Sequence, residues 1–179
     1  MADKVIGLQK EKVELAPYNL EWEKSYKNEE KLLHDLFGKY AIEIQHIGST
    51  AIPGAKAKPI IDIAVGVENL EETENYLESL KQLGYKLEHC AEKGRYFFAK
   101  ERAGKITQHL HIEKIGSDVW DRQIIFINYL KKNKDALDRY NKFKTELAEK
   151  YKDDRKSYVA AKVEFIDNLI VEAEDLAGI

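Results

Sequence analysis

The chain has a single cysteine, Cys90, among its 179 residues, which excludes an intrachain disulfide and any zinc site built on several thiolates. With only His89 and Glu92 as polar sequence neighbours, Cys90 reads as a small strand residue rather than a supported nucleophile. No apolar run approaches membrane-spanning length, and none follows Met1-Ala2-Asp3-Lys4, so a cytoplasmic protein without a membrane partner is expected. Charge of one sign is also missing. Lys and Arg total 29 against 32 Asp and Glu, a net charge of −3 that argues against coating nucleic acid. Repeats and low-complexity linkers are absent, and one domain over 1–179 is expected. There is no Gly-x-x-x-x-Gly-Lys-Ser/Thr loop and no Gly-x-Gly-x-x-Gly after a strand, which disfavours P-loop and dinucleotide folds. No Gly-x-Ser-x-Gly elbow supports a serine hydrolase.

What is present is an alternation of helical and strand patterns. Trp22, Tyr26, Glu29, Leu33 and Phe37 have helical spacing, with Asn19 as N-cap and Gly38 as stop. A strand through Ile42, Ile44 and His46 enters a turn at Gly48-Ser49, and a second strand, Ile60 to Val65, follows. Leu70, Thr73, Leu77, Leu80 and Leu83 form one helical stripe, closed by Gly84. Three strands are expected at 85–90, 95–100 and 106–113, the first two joined as a hairpin through Ala91-Glu92-Lys93-Gly94. From Ser117 three helices are expected: 119–132, a stripe from Leu137 to Tyr151, and one from Tyr158 to Ala173. The class is α+β: a mixed sheet flanked by helices over about 13–115, with a C-terminal helical bundle over 116–176. Residues 131–162 hold eleven Lys/Arg against six Asp/Glu, either a solvated helix face or one wall of an anion site.

Asp62 interrupts the apolar strand Ile60-Ile61-Asp62-Ile63-Ala64-Val65, where an ionised carboxylate needs a cation, a metal or donors around it. The preceding turn, Ile47 to Gly54, offers amides and hydroxyls from Gly48, Ser49 and Thr50 of the kind that receive phosphate. Alternation along Ile106–Glu113 sets Thr107, His109, His111 and Glu113 on one face. That face is either simply solvated or, with Asp62, supplies two nitrogens and one oxygen to a divalent metal. His46, beside the turn, can bond phosphate, act as general acid or brace the loop. Lys58, held extended by Pro59, either offsets phosphate charge or is an exposed loop lysine, as is Lys56.

The segment from Gln45-His46-Ile47-Gly48-Ser49-Thr50 through Pro53-Gly54-Ala55-Lys56-Ala57-Lys58-Pro59 to Ile60-Ile61-Asp62-Ile63 resembles the hallmark of the GrpB family. Pro17-Tyr18 with Trp22, His109-Leu110-His111, Tyr140 with Lys144, Asp154-Arg155, and Tyr158 through Lys162 to Phe165-Ile166 extend the resemblance from about Val13 to Ala173. It implies a nucleotidyltransferase-like fold of the polymerase-β type, in which Gly48 and Ser49 receive a triphosphate and Asp62 is the first metal-binding acid. The second acid of that pattern falls at Ala64, and the third belongs to the strand bearing His109, His111 and Glu113. The resemblance therefore implies Asp62, His109 and His111 as catalytic and metal-binding residues, holding Mg²⁺ or Mn²⁺, or Zn²⁺ given the histidines. Lys144, Tyr158 and Lys162 would reach nucleotide or acceptor from the bundle. GrpB-like domains are also similar to an extra domain of some dephospho-CoA kinases, which points toward coenzyme A or nucleotide metabolism. Three functions follow as expectations: metal-dependent nucleotidyl transfer to a small acceptor, a non-catalytic nucleotide- or coenzyme-binding module, and metal-dependent phosphoester hydrolysis.

Overall fold

The computed structural model describes residues 6–90 and 94–178; the expected hairpin turn at 91–93 and the stretch 1–5 lie outside them. Helix α1 (Leu20–Phe37) starts where the Asn19 side chain accepts the Glu21 amide at 2.9 Å, and its stripe Trp22, Tyr26, Glu29, Leu33 and Phe37 is buried. Five strands follow: β1 (Glu43–Ile47), β2 (Ile61–Val67), β3 (Tyr85–His89), β4 (Arg95–Arg102) and β5 (Lys105–Lys114). They form one sheet in the order β1-β2-β5-β4-β3, with β2 and β5 parallel and every other pair antiparallel. This is the mixed α+β sheet that the sequence pattern and the resemblance imply.

Two helical expectations change in detail. The stripe beginning at Leu70 is a 3-10 helix (Leu70–Tyr76) that passes into a short α2 (Leu77–Gln82). The spacing Leu70-Thr73-Tyr76 is three residues per turn, the period of a 3-10 helix, which stacks these side chains on one line. After α3 (Asp118–Lys132) and α4 (Lys134–Lys150), the last expected helix divides into α5 (Arg155–Ala161) and α6 (Val163–Ala177). At Lys162 the amide turns back to the Val159 carbonyl, three residues away, and the chain steps before α6 begins. The Asp154 side chain caps α5 by accepting the Ser157 amide at 3.0 Å. None of the helices among the described residues is long and apolar enough to cross a membrane.

The sheet is covered on both faces. Ile61, Ile63, Val65, Val67, Leu110 and Ile112 pack with Trp22, Tyr26, Leu33, Phe37 and Leu80 from α1 and α2. The other face receives the C-terminal helices: Ala64 and Ile47 lie in a core with Trp120, Phe126, Ile127, Tyr140, Leu169 and Ile170. The bundle thus lies across the sheet, and on this face β2 presents Asp62, Ala64 and Gly66 in succession. The side chains shrink toward Gly66, where a Cβ would meet the Trp120 ring at 3.0 Å. At the Gly66 end α3 sits down on the sheet; at the Asp62 end a cavity remains.

Replacing Gly66 by Ala should therefore push the Trp120 ring off the sheet. We expect a loss of about 1–3 kcal/mol in chemical denaturation, with unchanged far-ultraviolet circular dichroism. A wild-type midpoint for Gly66→Ala would show that the contact is not tight.

Candidate functional site

The floor of the cavity is the turn between β1 and β2. Gly48 has φ of +69°, and a Cβ there would lie 2.6 Å from Asp62 Oδ2, so the turn can rest on the carboxylate only without a side chain. Beneath it, the buried Thr50 hydroxyl donates to the Ile60 carbonyl at 3.3 Å and pairs with His46 Nε2 at 3.0 Å. His46 stacks on Tyr26 at 4.6 Å, on the α1 side of the sheet. The His46 and Thr50 side chains brace the turn through these contacts, and Thr50 also lines the cavity. From α4, Asn141 donates to the Gly54 carbonyl at 3.0 Å and accepts the Lys56 amide at 2.8 Å, while Lys144 Nζ donates to the Lys56 carbonyl. Ser49 Oγ lies 3.2 Å from the Tyr140 hydroxyl. Lys144 is fully buried and reaches the cavity as part of its wall, clamping the turn rather than offering a free cation. The Lys56 side chain points away, toward Thr145.

Parallel pairing sets Asp62 opposite His109 and Ala64 opposite His111. His109 Nδ1 donates to Asp62 Oδ1 at 2.7 Å, and His109 Nε2 accepts from Arg155 Nη2 at 3.1 Å. These bonds define a neutral ring protonated at Nδ1. Burial lowers the His109 pKa against the pull of Asp62, and the nearby Arg155 lowers it further. For Asp62, burial works to raise the pKa, but the hydrogen bond from His109 and the nearby His111 prevail and hold it well below the usual carboxylate range. The Asp62 side chain keeps 28% exposure, all that a cavity ligand needs to reach it.

The expected metal set is brought together in a different chemical form. Both nitrogens of His109 are engaged, one by a guanidinium that repels a dication, and His111 Nε2 stands 3.9 Å from Asp62 Oδ1. Among the described residues no group of three His, Cys, Asp or Glu side chains is placed to hold a metal. Glu113 does not supply the third acid: it is fully buried opposite Gly66, and its Oε2 accepts from Gln123 at 2.6 Å. Ala64 is buried in the apolar core, leaving no acid at the second position. The residues present do not fit a resident divalent metal.

What surrounds Asp62 is positive charge. The cavity, of about 700 Å³, lies between the sheet and helices α3 to α6. Lys58 and Lys162 place their Nζ atoms 5.5 Å and 4.7 Å from the Tyr158 ring centre, and neither amine has a hydrogen-bond or ion-pair partner among the described residues. Burial, then the charges of Arg155 and Lys162, lower the Lys58 pKa to about 7. Burial and Arg155 lower that of Lys162 to about 8, against the pull of Asp62. Arg95 and Arg122 also line the cavity, the latter paired with Asp167. Val119, Phe126, Val159, Val163 and Ile166 make an apolar wall, and Val159 and Val163 remain 47% and 54% exposed at its edge.

Sequence reasoning reached Gly48, Ser49, Thr50, Lys58, Asp62, His109, His111, Lys144, Tyr158 and Lys162, all of which line the cavity, and His46, which does not; it noted Arg155 without a role. It missed Arg155 as the partner of His109, and it missed Arg95, Phe97 and Arg122. The available signal was the basic excess over 131–162. It is resolved both ways: Lys144, Arg155 and Lys162 face the cavity, while Lys131, Lys132, Lys134 and Lys150 are exposed.

The depressed lysines give the empty protein a defined pH response. An unfolded lysine titrates near 10.4, so between about pH 7 and 10 the unfolded chain holds more protons than the folded one. Stability should rise with pH across this window, and Lys58→Met should flatten the rise. Denaturation midpoints at pH 6.5, 8 and 9.5 measure it; an unchanged slope in Lys58→Met would reject the charge-crowding account.

Comparison with known proteins agrees with the resemblance. The sequence profile described as "GrpB protein" matches residues 12–172. The glutamate-rich protein GrpB of Alkalihalophilus pseudofirmus is 38% identical over 174 residues, which cover 94% of this chain and 99% of that protein. The crystal structure of conserved protein GrpB from Enterococcus faecalis superposes with a TM-score of 0.83 at 27% identity, covering 93% of this chain and all of that one. A dephospho-CoA kinase of Mycolicibacterium paratuberculosis is 28% identical over 176 residues, covering 84% of this chain but only 43% of the kinase. The poly(U) polymerase Cid1, solved with the UTP analog UMPNPP, is similar at a TM-score of 0.45 and 12% identity, too distant for any residue to be carried across. With this profile over most of its length, and a relative aligned nearly end to end, the chain belongs to the GrpB family.

Proposed function

We propose that the cavity binds a phosphorylated small molecule of the nucleotide class, and that the protein acts as a binding module for it without a resident metal. One observation carries this reading: Lys58, Arg155 and Lys162 converge on a cavity of ligand size whose single carboxylate without a salt-bridging Lys or Arg is Asp62. Asp62 orients Arg155 through His109, and the Gly48-Ser49 turn adds backbone and hydroxyl donors. The Val119, Phe126 and Val163 wall suits the base or another apolar part of the ligand. The dephospho-CoA kinase relative is named for a coenzyme A precursor, which supports the same ligand class.

Nucleotidyl transfer to a small acceptor is the second reading, favoured by a Gly-Ser turn lying directly on Asp62. Against it stand Ala64, which provides no second acid, and His109, whose nitrogens are both taken.

Calorimetry with ATP, dephospho-CoA and pyrophosphate, each with Mg²⁺ or with EDTA, separates the two. A bound anion raises the Lys58 and Lys162 pKa values, so binding takes up protons near pH 7.5 and weakens as pH rises through 7 to 9. Arg155→Met and Lys162→Met should each weaken binding by roughly 10- to 150-fold. Asp62→Asn, which removes one negative charge and keeps an acceptor for His109, should preserve or tighten metal-free binding. Binding that requires Mg²⁺ and is lost in Asp62→Asn would favour transfer; no binding of any of the three at pH 6.5 would sink both.

A further inference from the structure

We propose that Lys58 is a carbonyl-reactive amine, and that the cavity captures an aldehyde or ketone bearing a phosphate group as an imine on Lys58 Nζ. The inference rests on the anion reading above for the phosphate, and on the surroundings of Lys58 for the reaction. Among the three lysines that line the cavity, Lys144 is ruled out because its Nζ is spent on the Lys56 carbonyl. Lys58 has no such partner among the described residues; its amine faces the Tyr158 ring and shares the cavity with Arg155 and Lys162. An amine desolvated and set beside other cations is held in its neutral, nucleophilic form, and the crowding here works in that direction.

Its backbone is fixed. Ala57 exchanges two hydrogen bonds with Ala16, at 2.8 and 2.9 Å, and the Ile60 amide donates to the Lys58 carbonyl at 2.7 Å. Pro59 disfavours the helical region for Lys58 and holds it extended. The amine therefore stands at a set place on the cavity wall, next to the Asp62 strand. A phosphate held by Arg155 and Lys162 would bring a carbonyl on the same molecule to Lys58, whose amine shares the Tyr158 ring with Lys162.

The step balances without an outside oxidant or reductant. The Nζ lone pair attacks the carbonyl carbon and forms the C–N bond. The two protons of that nitrogen pass to the carbinolamine oxygen, which leaves as water and gives the C=N bond. The reaction is reversible, so a ligand captured in this way is held and later released by water.

The test uses the full chain and pyridoxal 5′-phosphate as a phosphorylated aldehyde probe, with borohydride to reduce the imine to a stable secondary amine and peptide mass spectrometry to find it. At pH 7.5 we expect Lys58 to be labelled at least about tenfold faster than the exposed lysines. Excess pyrophosphate should suppress the label, and pyridoxal without its phosphate should give far less. Lys58→Arg loses the label at this position, while Lys156→Arg, at an exposed lysine of α5, leaves the labelling of Lys58 unchanged. Labelling spread evenly over exposed lysines, or selective for Lys162 with Lys58 untouched, overturns the proposal even when ATP binds. Selective labelling of Lys58 that pyrophosphate and ATP leave unaffected would keep the reactive amine but remove the anion site on which the phosphate requirement depends, and so overturn the proposal as stated.

Discussion

A half-buried carboxylate without a neighbouring acid organises this molecule. Asp62 stands in a central strand where an ionised group costs several kcal/mol unless it is surrounded by donors. The parallel pairing of β2 with β5 meets that need by putting His109 directly beside it and His111 one step along the same face. The same carboxylate dictates a neighbour without a side chain at Gly48, since any Cβ there would collide with its oxygen. Through His109 it fixes the orientation of Arg155, which belongs to a helix on the opposite wall. Turn, strand pair and helix are thus positioned around one oxygen pair.

The cations opposite Asp62 exceed what it can neutralise. Lys58, Lys162 and Arg155 are brought close, partly withdrawn from water, and left without carboxylate partners of their own. In a protein folded for stability alone, such positions would hold apolar side chains or matched pairs. Their retention on the wall of a cavity is the pattern of a site whose missing charge arrives with a ligand. Lys144 shows the contrast, because the same residue type on the same wall is satisfied by a backbone carbonyl and an aromatic ring, and so serves the fold.

Much of this was legible in the sequence. The α1 stripe, its Asn19 cap, the five strands and the Asp62 anomaly are local signals, carried by periodicity and by a charge out of place. The turn from Gly48 to Gly54 stood out by its composition alone, and it forms the floor of the cavity. Less local facts were hidden. That the divided Leu70 and Tyr158 stripes break where they do depends on three-residue spacing and on a single step at Lys162. That His109 is a relay to Arg155 rather than a metal ligand depends on a contact spanning 46 residues, which no local pattern encodes. The basic excess between 131 and 162 could not reveal which of its members turn inward, since exposed and inward-facing lysines alternate on the same helices.

The tie between Arg155 and the N-terminal segment has a consequence for the way the protein is made. Arg155 Nη1 donates to the Lys10 carbonyl at 3.1 Å, and the Val13 amide to the Lys152 carbonyl at 2.9 Å. A chain leaving the ribosome can close the core between α1 and the sheet as soon as β5 has emerged, because every residue of that core precedes Lys114. Asp62 and its face of the sheet must then wait for another forty residues before Arg155 arrives to cap His109. During synthesis the molecule passes through a half-covered sheet whose open side already carries the Asp62 carboxylate, and the tie to the N-terminal segment forms only once Arg155 has emerged.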